Sequence, residues 1–446
     1  MIGGNNRALY IVLFAGFLLI NTVLNPIAFG SSDNQIQQCF SSLDGGWFEE
    51  KEGVKILHVS GSYYDMGYQH GYLLKEEINE NIRAFSYYFQ EYEWSYEKVL
   101  SVWNIQKMIL PNCYIQELQG MADGSGISFE KLAVHNSWMG VYNHLFSCWG
   151  ASLWGDATQN GTLLHMRSCD GINGLQDPIS KSYVYENQIL LIRNPDNAFS
   201  SLSPVFSGDV TSIGGFNEQG IGVSELSVVT EADTTFFGIN AGYRMRMVLD
   251  FSSDAAEAVE IMNSNRTCSW NFIVSDAAAP LGCAIEQSAN KAYTMSWFDA
   301  VEDTPPFWQI KDVVRRGNCY IHPAMASLDR NRYNPSGVLG LLRFLLGIDS
   351  TFINWIQYKT ISEEIEKQYG TIDEIRALEL LRDVYLGNTN LFFRLFLANM
   401  SLTCRQWVGC PLTGDFYICF AKDNTEAYQN IIHHFNFFNL LNSEPP

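Results

Sequence analysis

Basic residues are scarce in this chain. Lys and Arg total 28 against 48 Asp and Glu, a formal net charge of −20. The footprint expected of a nucleic-acid binder is therefore missing, as is the charge for docking on anionic lipid. Charged residues of either sign make up only 17% of the 446, and 47% are hydrophobic. Disorder by composition is excluded, and a sizeable core can form. The length allows two or three average domains or one large layered domain with extensions. No internal repeat, low-complexity segment or strong linker after residue 50 divides it. Several chemical signatures are absent: no GxGxxG in strand–turn–helix context, no P-loop, no HExxH and no GxSxG elbow. Nor is there a CxxC or a Cys/His cluster, which argues against structural zinc, and nothing calls for a metal or organic cofactor. The apolar runs Leu341–Leu346 and Leu391–Leu397 are too short to span a membrane.

One longer apolar run is present. Arg7 precedes Ala8–Leu24, and Ala28-Phe29-Gly30-Ser31 follows. A positive start, an apolar middle and small residues predict a secretory signal over residues 1–31, with an uncleaved signal anchor as the competing reading. Either predicts a secreted or membrane-anchored, extracytoplasmic body that meets the membrane only through this segment. Export permits disulfides. The ten cysteines (39, 113, 148, 169, 268, 283, 319, 404, 410 and 419) show no dense framework, though Cys404 and Cys410 are spaced for a local loop. Asn160, Asn265 and Asn399 head glycosylation triplets, a pattern that chance also produces.

Residues 32–53 read as a polar leader. After a short strand at Val54–Val59, residues to 147 read as mostly helical, with Met66, Leu73, Leu74, Ile78 and Ile82 at helical spacing. The character changes at residue 148. Trp149–Asp156 and Thr162–Arg167 read as strands about an Asn160-Gly161 turn. Gln188–Arg193 is another strand. Val210–Phe216 and Gly222–Val228 form a hairpin around Asn217–Gly220. A helix fits Val248, Phe251, Ala255, Val259 and Met262. Strands are expected again at Asn271–Ser275, Cys283–Gln287, Ala292–Trp297 and, last, Phe416–Ala421, with helices at 337–347 and 373–385. Hairpins with inserted helices predict antiparallel sheets covered by helices, an α+β fold.

Chemistry concentrates where the strands begin. Cys148, Cys169, His165, Arg167 and Asp170 form a polar cluster near one predicted strand pair. A buried Cys is usually a small hydrophobe. The surrounding motifs point further. Residues 59–74, Val-Ser-Gly-Ser-Tyr-Tyr-Asp-Met-Gly-Tyr-Gln-His-Gly-Tyr-Leu-Leu, resemble a G-x-x-x-E-x-G-x-x-x-G opening with Asp65 at the Glu position. Ser147–Asp170 resembles C-[ST]-x-[FW]-x-x-x-G-x-A-T-x-D-G-x-x-x-x-G-R-N-x-D, with Cys148, Gly155, Ala157, Thr158, Gly161, Arg167 and Asp170 in register. Gly215–Gly220 is similar to G-x-N-E-x-G, and Ser269–Asp276 to x-N-[FY]-x-x-x-D. In this order the motifs resemble the acyl-CoA:6-aminopenicillanic acid acyltransferase family, peptidase family C45 of the N-terminal-nucleophile (Ntn) hydrolases. His165-Met166, Ser168, Trp149 and Gly171 depart from the pattern beside the Cys.

The resemblance implies an αββα sandwich of two antiparallel sheets between helix layers. It also implies self-cleavage between Ser147 and Cys148, giving a helical α chain (32–147) and a catalytic β chain (148–446). Cys148 is then the nucleophile and its freed α-amine the base, since such an amine has a pKa near 8. Arg167 would lower the thiol pKa, Asp170 would orient the amine, and Asn271 would supply an oxyanion-hole amide. Asn217 is a lesser candidate, being explained as a turn residue. Either Arg330 or Arg332 would complete the site. Trp138, Trp149 and Trp154 could line an acyl pocket or be plain core. Cys169 is expected to stay unpaired. The implied partner is a small-molecule N-acyl amide, with hydrolysis ranked above acyl transfer. Other readings are a non-catalytic exported binding protein on the same fold, a ceramidase-like or phospholipase-B-like lipid-amide hydrolase, and a Cys/His protease using His165 or His322.

Overall fold

The computed structural model describes residues 40–445 apart from 92, 142–146, 171–174, 229, 231–232, 329–335, 347–350 and 387–402. The predicted signal, Arg330, Arg332 and Asn399 lie outside the described residues. Residues 38–446 form one compact unit.

Two sheets make the centre. The larger runs in spatial order β1 (Phe40–Leu43), β2 (Gly46–Lys51), β3 (Val54–Gly61), β6 (Gln188–Pro195), β7 (Ser201–Phe206), β8 (Gly214–Asn217), β9 (Ile221–Ser227), β10 (Trp270–Asp276), β11 (Leu281–Gln287) and β12 (Ala292–Met295). The smaller runs β13 (Val313–Arg316), β4 (Ser147–Gly155), β5 (Gly161–Asp170), β14 (Thr403–Cys410), β15 (Asp415–Phe420) and β16 (His433–Asn436). The sheets face each other: His165 of β5 bonds Ser224 of β9 and Ser275 of β10. Helices α1 (Tyr63–Leu73), α2 (Lys75–Glu91), α3 (Asn112–Ser125), α4 (Ala241–Phe251) and α5 (Ala255–Asn263) cover the larger sheet. On the smaller sheet lies α7 (Glu374–Leu386), which follows α6 (Thr351–Lys367). The expected αββα sandwich is the architecture observed. Pairing is antiparallel throughout except β3 on β6, which is parallel.

Several expectations are corrected. The supposed leader at 32–53 contains β1 and β2, an edge hairpin whose β2 has a single fully buried position, Gly46, too few to show an alternating pattern. β7 was hidden by Pro204, which stands mid-strand. The hairpin strand expected from Val210 begins only at Gly214. The single helix over 248–262 is two. Asp254 caps a new helix by accepting from the Glu257 amide, while Asn217 Nδ2 donates to the carbonyls of Leu249 (3.1 Å) and Ser252 (2.8 Å). Asn217 is thereby a turn-and-junction residue. Phe416–Ala421 is not the last strand, since β16 follows it. No disulfide joins any of the nine described cysteines. Cys404 and Cys410 sit at the two ends of the extended strand β14, roughly 20 Å apart at about 3.4 Å per residue, too far to bridge.

Candidate active site

Cys148 is the second residue of β4 and stands opposite Cys169 of β5, with Arg167 opposite Gly150. Side chains opposite one another share a face, and alternate residues along a strand do too. Cys148, Cys169, Arg167 and His165 therefore project toward the larger sheet. Ser168 and Asp170 project the other way, toward the helix layer: Ser168 Oγ donates to Asp170 Oδ1 (2.9 Å), and Gln406 Nε2 donates to Ser168 Oγ (3.1 Å) and to the Leu381 carbonyl (3.1 Å). Asp170 pairs in register with Ser147, the residue before the expected cleavage point. The structure thus brings Cys148 and Arg167 together on the face toward the larger sheet and sets Asp170 at the same strand end on the opposite face.

Cys148 is 1% exposed and Arg167 is fully buried. Arg167 Nη2 lies 3.5 Å from Cys148 Sγ, its Nε donates to the Glu225 carbonyl at 3.0 Å, and its Nη2 pairs with the Glu225 carboxylate. Burial is the largest single influence and opposes the Arg167 charge, but Glu225, Cys169 and Cys148 together outweigh it and the guanidinium stays charged. Burial also pushes the Cys148 thiol up, with Cys169 reinforcing the rise and Arg167 resisting it. A thiol in this setting needs a base before it can attack.

Sequence reasoning missed two residues here. Glu225 balances Arg167. Asn318 Oδ1 accepts from the Cys148 amide at 2.8 Å, and Asn318 Nδ2 donates to the Ser227 carbonyl (2.8 Å) and Oγ (3.1 Å). Both come from segments far along the chain, with no local spacing to flag them. The register explains Asn318: Arg316 of β13 pairs with Gly150, so two residues further on the chain runs past Cys148. Asn271 is committed to backbone carbonyls rather than to an oxyanion hole. Its Nδ2 donates to the carbonyls of Gly317 (2.9 Å) and Cys319 (2.8 Å), on either side of Asn318, so both its hydrogens are occupied.

The histidines are engaged elsewhere. His165 Nδ1 is 2.8 Å from Ser275 Oγ and Nε2 is 2.8 Å from Ser224 Oγ, while the ring stacks on Trp407. Burial, then the nearby Arg167, lowers its pKa to about 3, so it is neutral. His322 stacks on Tyr293 and caps the short helix Pro323–Ala326. Trp138, Trp149 and Trp154 all belong to the central core cluster. Among the described residues, no group of three His, Cys, Asp or Glu is placed to hold a metal, and no helix is long and apolar enough to cross a membrane.

No family model matches the chain. It is similar to protein dcd1B of Dictyostelium discoideum, 29% identical over 248 residues, which is 49% of this chain and 47% of that protein. It is also similar to an uncharacterized protein of Archaeoglobus fulgidus, 22% identical over 370 residues, 74% of this chain and 58% of the relative. The chain thus spans about half the length of the curated relatives it matches. Among solved structures it overlaps a mutant of the conjugated bile acid hydrolase from Clostridium perfringens (TM-score 0.35, 16% identity, 67% of this chain and 95% of that one). It overlaps an N-acylethanolamine-hydrolyzing acid amidase ortholog of Caenorhabditis elegans (0.39, 14%, 59% and 93%) and penicillin V acylase from Agrobacterium tumefaciens (0.38, 13%, 66% and 87%). Overlaps this weak say nothing of chemistry.

Proposed function

We propose that the chain is a self-processing cysteine hydrolase of the Ntn type, acting on the linear amide bond of an N-acyl amine. One observation carries the reading. Cys148 stands at a strand end with a charged Arg167 beside its sulfur and its own nitrogen held by Asn318, while both ring nitrogens of the neighbouring His165 are engaged by serines. The natural base in such a site is the nucleophile's own nitrogen, once freed.

The thiol attacks the Ser147 carbonyl carbon. The peptide C–N bond breaks, the nitrogen keeps the thiol proton, and the acyl group passes to sulfur. Water then cleaves the thioester, leaving a carboxyl on Ser147 and an amine on Cys148. That amine has an ordinary pKa of about 8 and can take the thiol proton at neutral pH. Arg167 steadies the thiolate and Asn318 holds the amine; Asp170, opposite Ser147, orients it only once the Ser147–Cys148 bond is cut and the amine can turn. In turnover the thiolate attacks the substrate carbonyl and the ammonium returns its proton to the leaving amine. Water hydrolyses the thioester; an amine in place of water gives acyl transfer.

The test compares the intact mass and N-terminal sequence of the purified protein with those of Cys148→Ala. The expected outcome is a wild-type chain beginning at Cys148 and an uncut variant without amidase activity. An uncut wild type with an unreactive thiol would defeat the reading and leave a binding protein on this fold.

A further inference from the structure

We propose that Asn271 and Glu286 are positioning residues that hold Asn318 against the Cys148 nitrogen; the catalytic importance of that nitrogen rests on the function proposed above. Asn271 on β10 and Glu286 on β11 stand directly opposite one another, so their side chains share a face, and both are fully buried. Together they grip the turn that follows β13. Asn271 gives its two amide hydrogens to the carbonyls of Gly317 and Cys319. Glu286 Oε1 accepts from the Ile321 amide (2.9 Å) and from Arg316 Nε (2.9 Å), and Oε2 accepts from the His322 amide (3.0 Å). Arg316 is itself anchored, its Nη1 donating to Glu302 Oε2 at 2.9 Å.

The pairing is chemically directional. A neutral amide faces two carbonyls, and a carboxylate faces two backbone N–H groups and a guanidinium. Exchanging donors for acceptors at either position would set like against like. Asn271 Oδ1 is buried with no hydrogen-bond partner, so the orientation that feeds the two carbonyls is kept although it leaves an acceptor unsatisfied. The gripped backbone brackets one residue, Asn318, whose side chain crosses to Cys148. A displacement of Asn318 by about half an ångström would lengthen its 2.8 Å contact beyond good hydrogen-bond geometry. A turn needing only stability could bond its backbone to water at the surface. A turn held from both sides over Gly317–His322 fits a demand for placement.

The test uses the full chain in the Cys148→Ala background, which cannot process itself, labelled with ¹⁵N-alanine. The amide at position 148 and that of Ala151, further along β4, are followed by hydrogen exchange. With Asn271→Ser, exchange at 148 is expected to rise at least tenfold while Ala151 changes by less than twofold. Glu286→Gln is run beside it as the second variant and is expected to act in the same direction. Unchanged exchange at 148, a parallel rise at both amides, or loss of folding in both variants overturns the proposal. In the otherwise wild-type background, Asn271→Ser is expected to shift the pH midpoint for iodoacetamide alkylation of Cys148, which a purely structural residue would not move. If the wild type never yields a chain starting at Cys148, the proposed function fails, but the amide measurement still decides the positioning role.

Discussion

At the scale of single residues, the site is a problem of charge without water. Arg167 is buried beside a thiol that is itself neutral at ordinary pH, and Glu225 keeps this from being an isolated buried charge. Cys148, Arg167 and Asp170 were legible in the sequence because one hairpin carries all three. Glu225 and Asn318 were not, because they lie 58 and 170 positions from their partners. His165 was legible as a nearby polar residue but not as a structural one; only the facing sheet supplies its two serines. Its neutrality has a consequence for acid stability. The folded-state pKa of His165, like that of the buried His70, is lowered to about 3 from 6.5. Below pH 6.5 the unfolded chain takes up protons that the folded chain refuses. Stability is therefore full above about 6.5 and drains as pH falls toward about 3, at about 1.4 kcal/mol per pH unit for each such group. Urea denaturation between about pH 6.5 and about pH 4 should show this decline, and His165→Gln should reduce its slope by one group's share. An equal slope in the variant would mean His165 titrates normally.

At the scale of elements, the glycine-spaced opening motif has a packing meaning. Gly67 and Gly71 on α1 lie against the backbone of α3, and Gly120 and Gly124 on α3 lie against the backbone of α1. A Cβ at any of the four would overlap a carbonyl on the facing helix. The helical spacing of Met66, Leu73 and Leu74 predicted α1, but only the second helix shows why the glycines are needed. The close approach also places Tyr63 and Tyr114, whose hydroxyls both donate to Asp250 Oδ2 (2.8 and 2.9 Å). Gly120→Ala is expected to cost about 1–3 kcal/mol or more by forcing these backbones apart. The measurement is the urea midpoint; a shift within about 0.5 kcal/mol, the range of an ordinary surface change, would mean the helices give way freely. The break between α4 and α5 was illegible for the opposite reason. The apolar spacing runs across it unbroken, and the cap at Asp254 together with Asn217 overrides that pattern.

At the scale of the whole molecule, the change of character at residue 148 marks the start of the smaller sheet, and it is not a boundary between independent bodies. Segments before it supply β1–β3, at one edge of the larger sheet, and helices over it that include α1, α2 and α3. β3 pairs with β6 from Ile56–Leu190 to Gly61–Pro195. One core cluster joins Leu57, Val59, Met66 and Leu118 to Ile189, Leu191, Val205 and Tyr243. Arg246 Nη1 reaches Glu117 Oε1 at 3.2 Å in the buried interior, and Arg83 forks onto Asp177 at 2.8 and 2.7 Å. The sequence could not show this, because parallel pairing between segments so far apart leaves no local pattern. Removing the first segment would expose one edge of the larger sheet and a face of its core together, and would take Glu117 from the buried Arg246, leaving it Asp250 alone as a carboxylate partner. Cleavage between Ser147 and Cys148 is therefore expected to leave the two chains as one particle. Size-exclusion chromatography of the processed protein at neutral pH should give a single peak holding both chains, and urea should release the smaller one only as the whole molecule unfolds. Elution of the smaller chain alone without denaturant would show that these shared strands and buried ion pairs do not bind the halves into one fold.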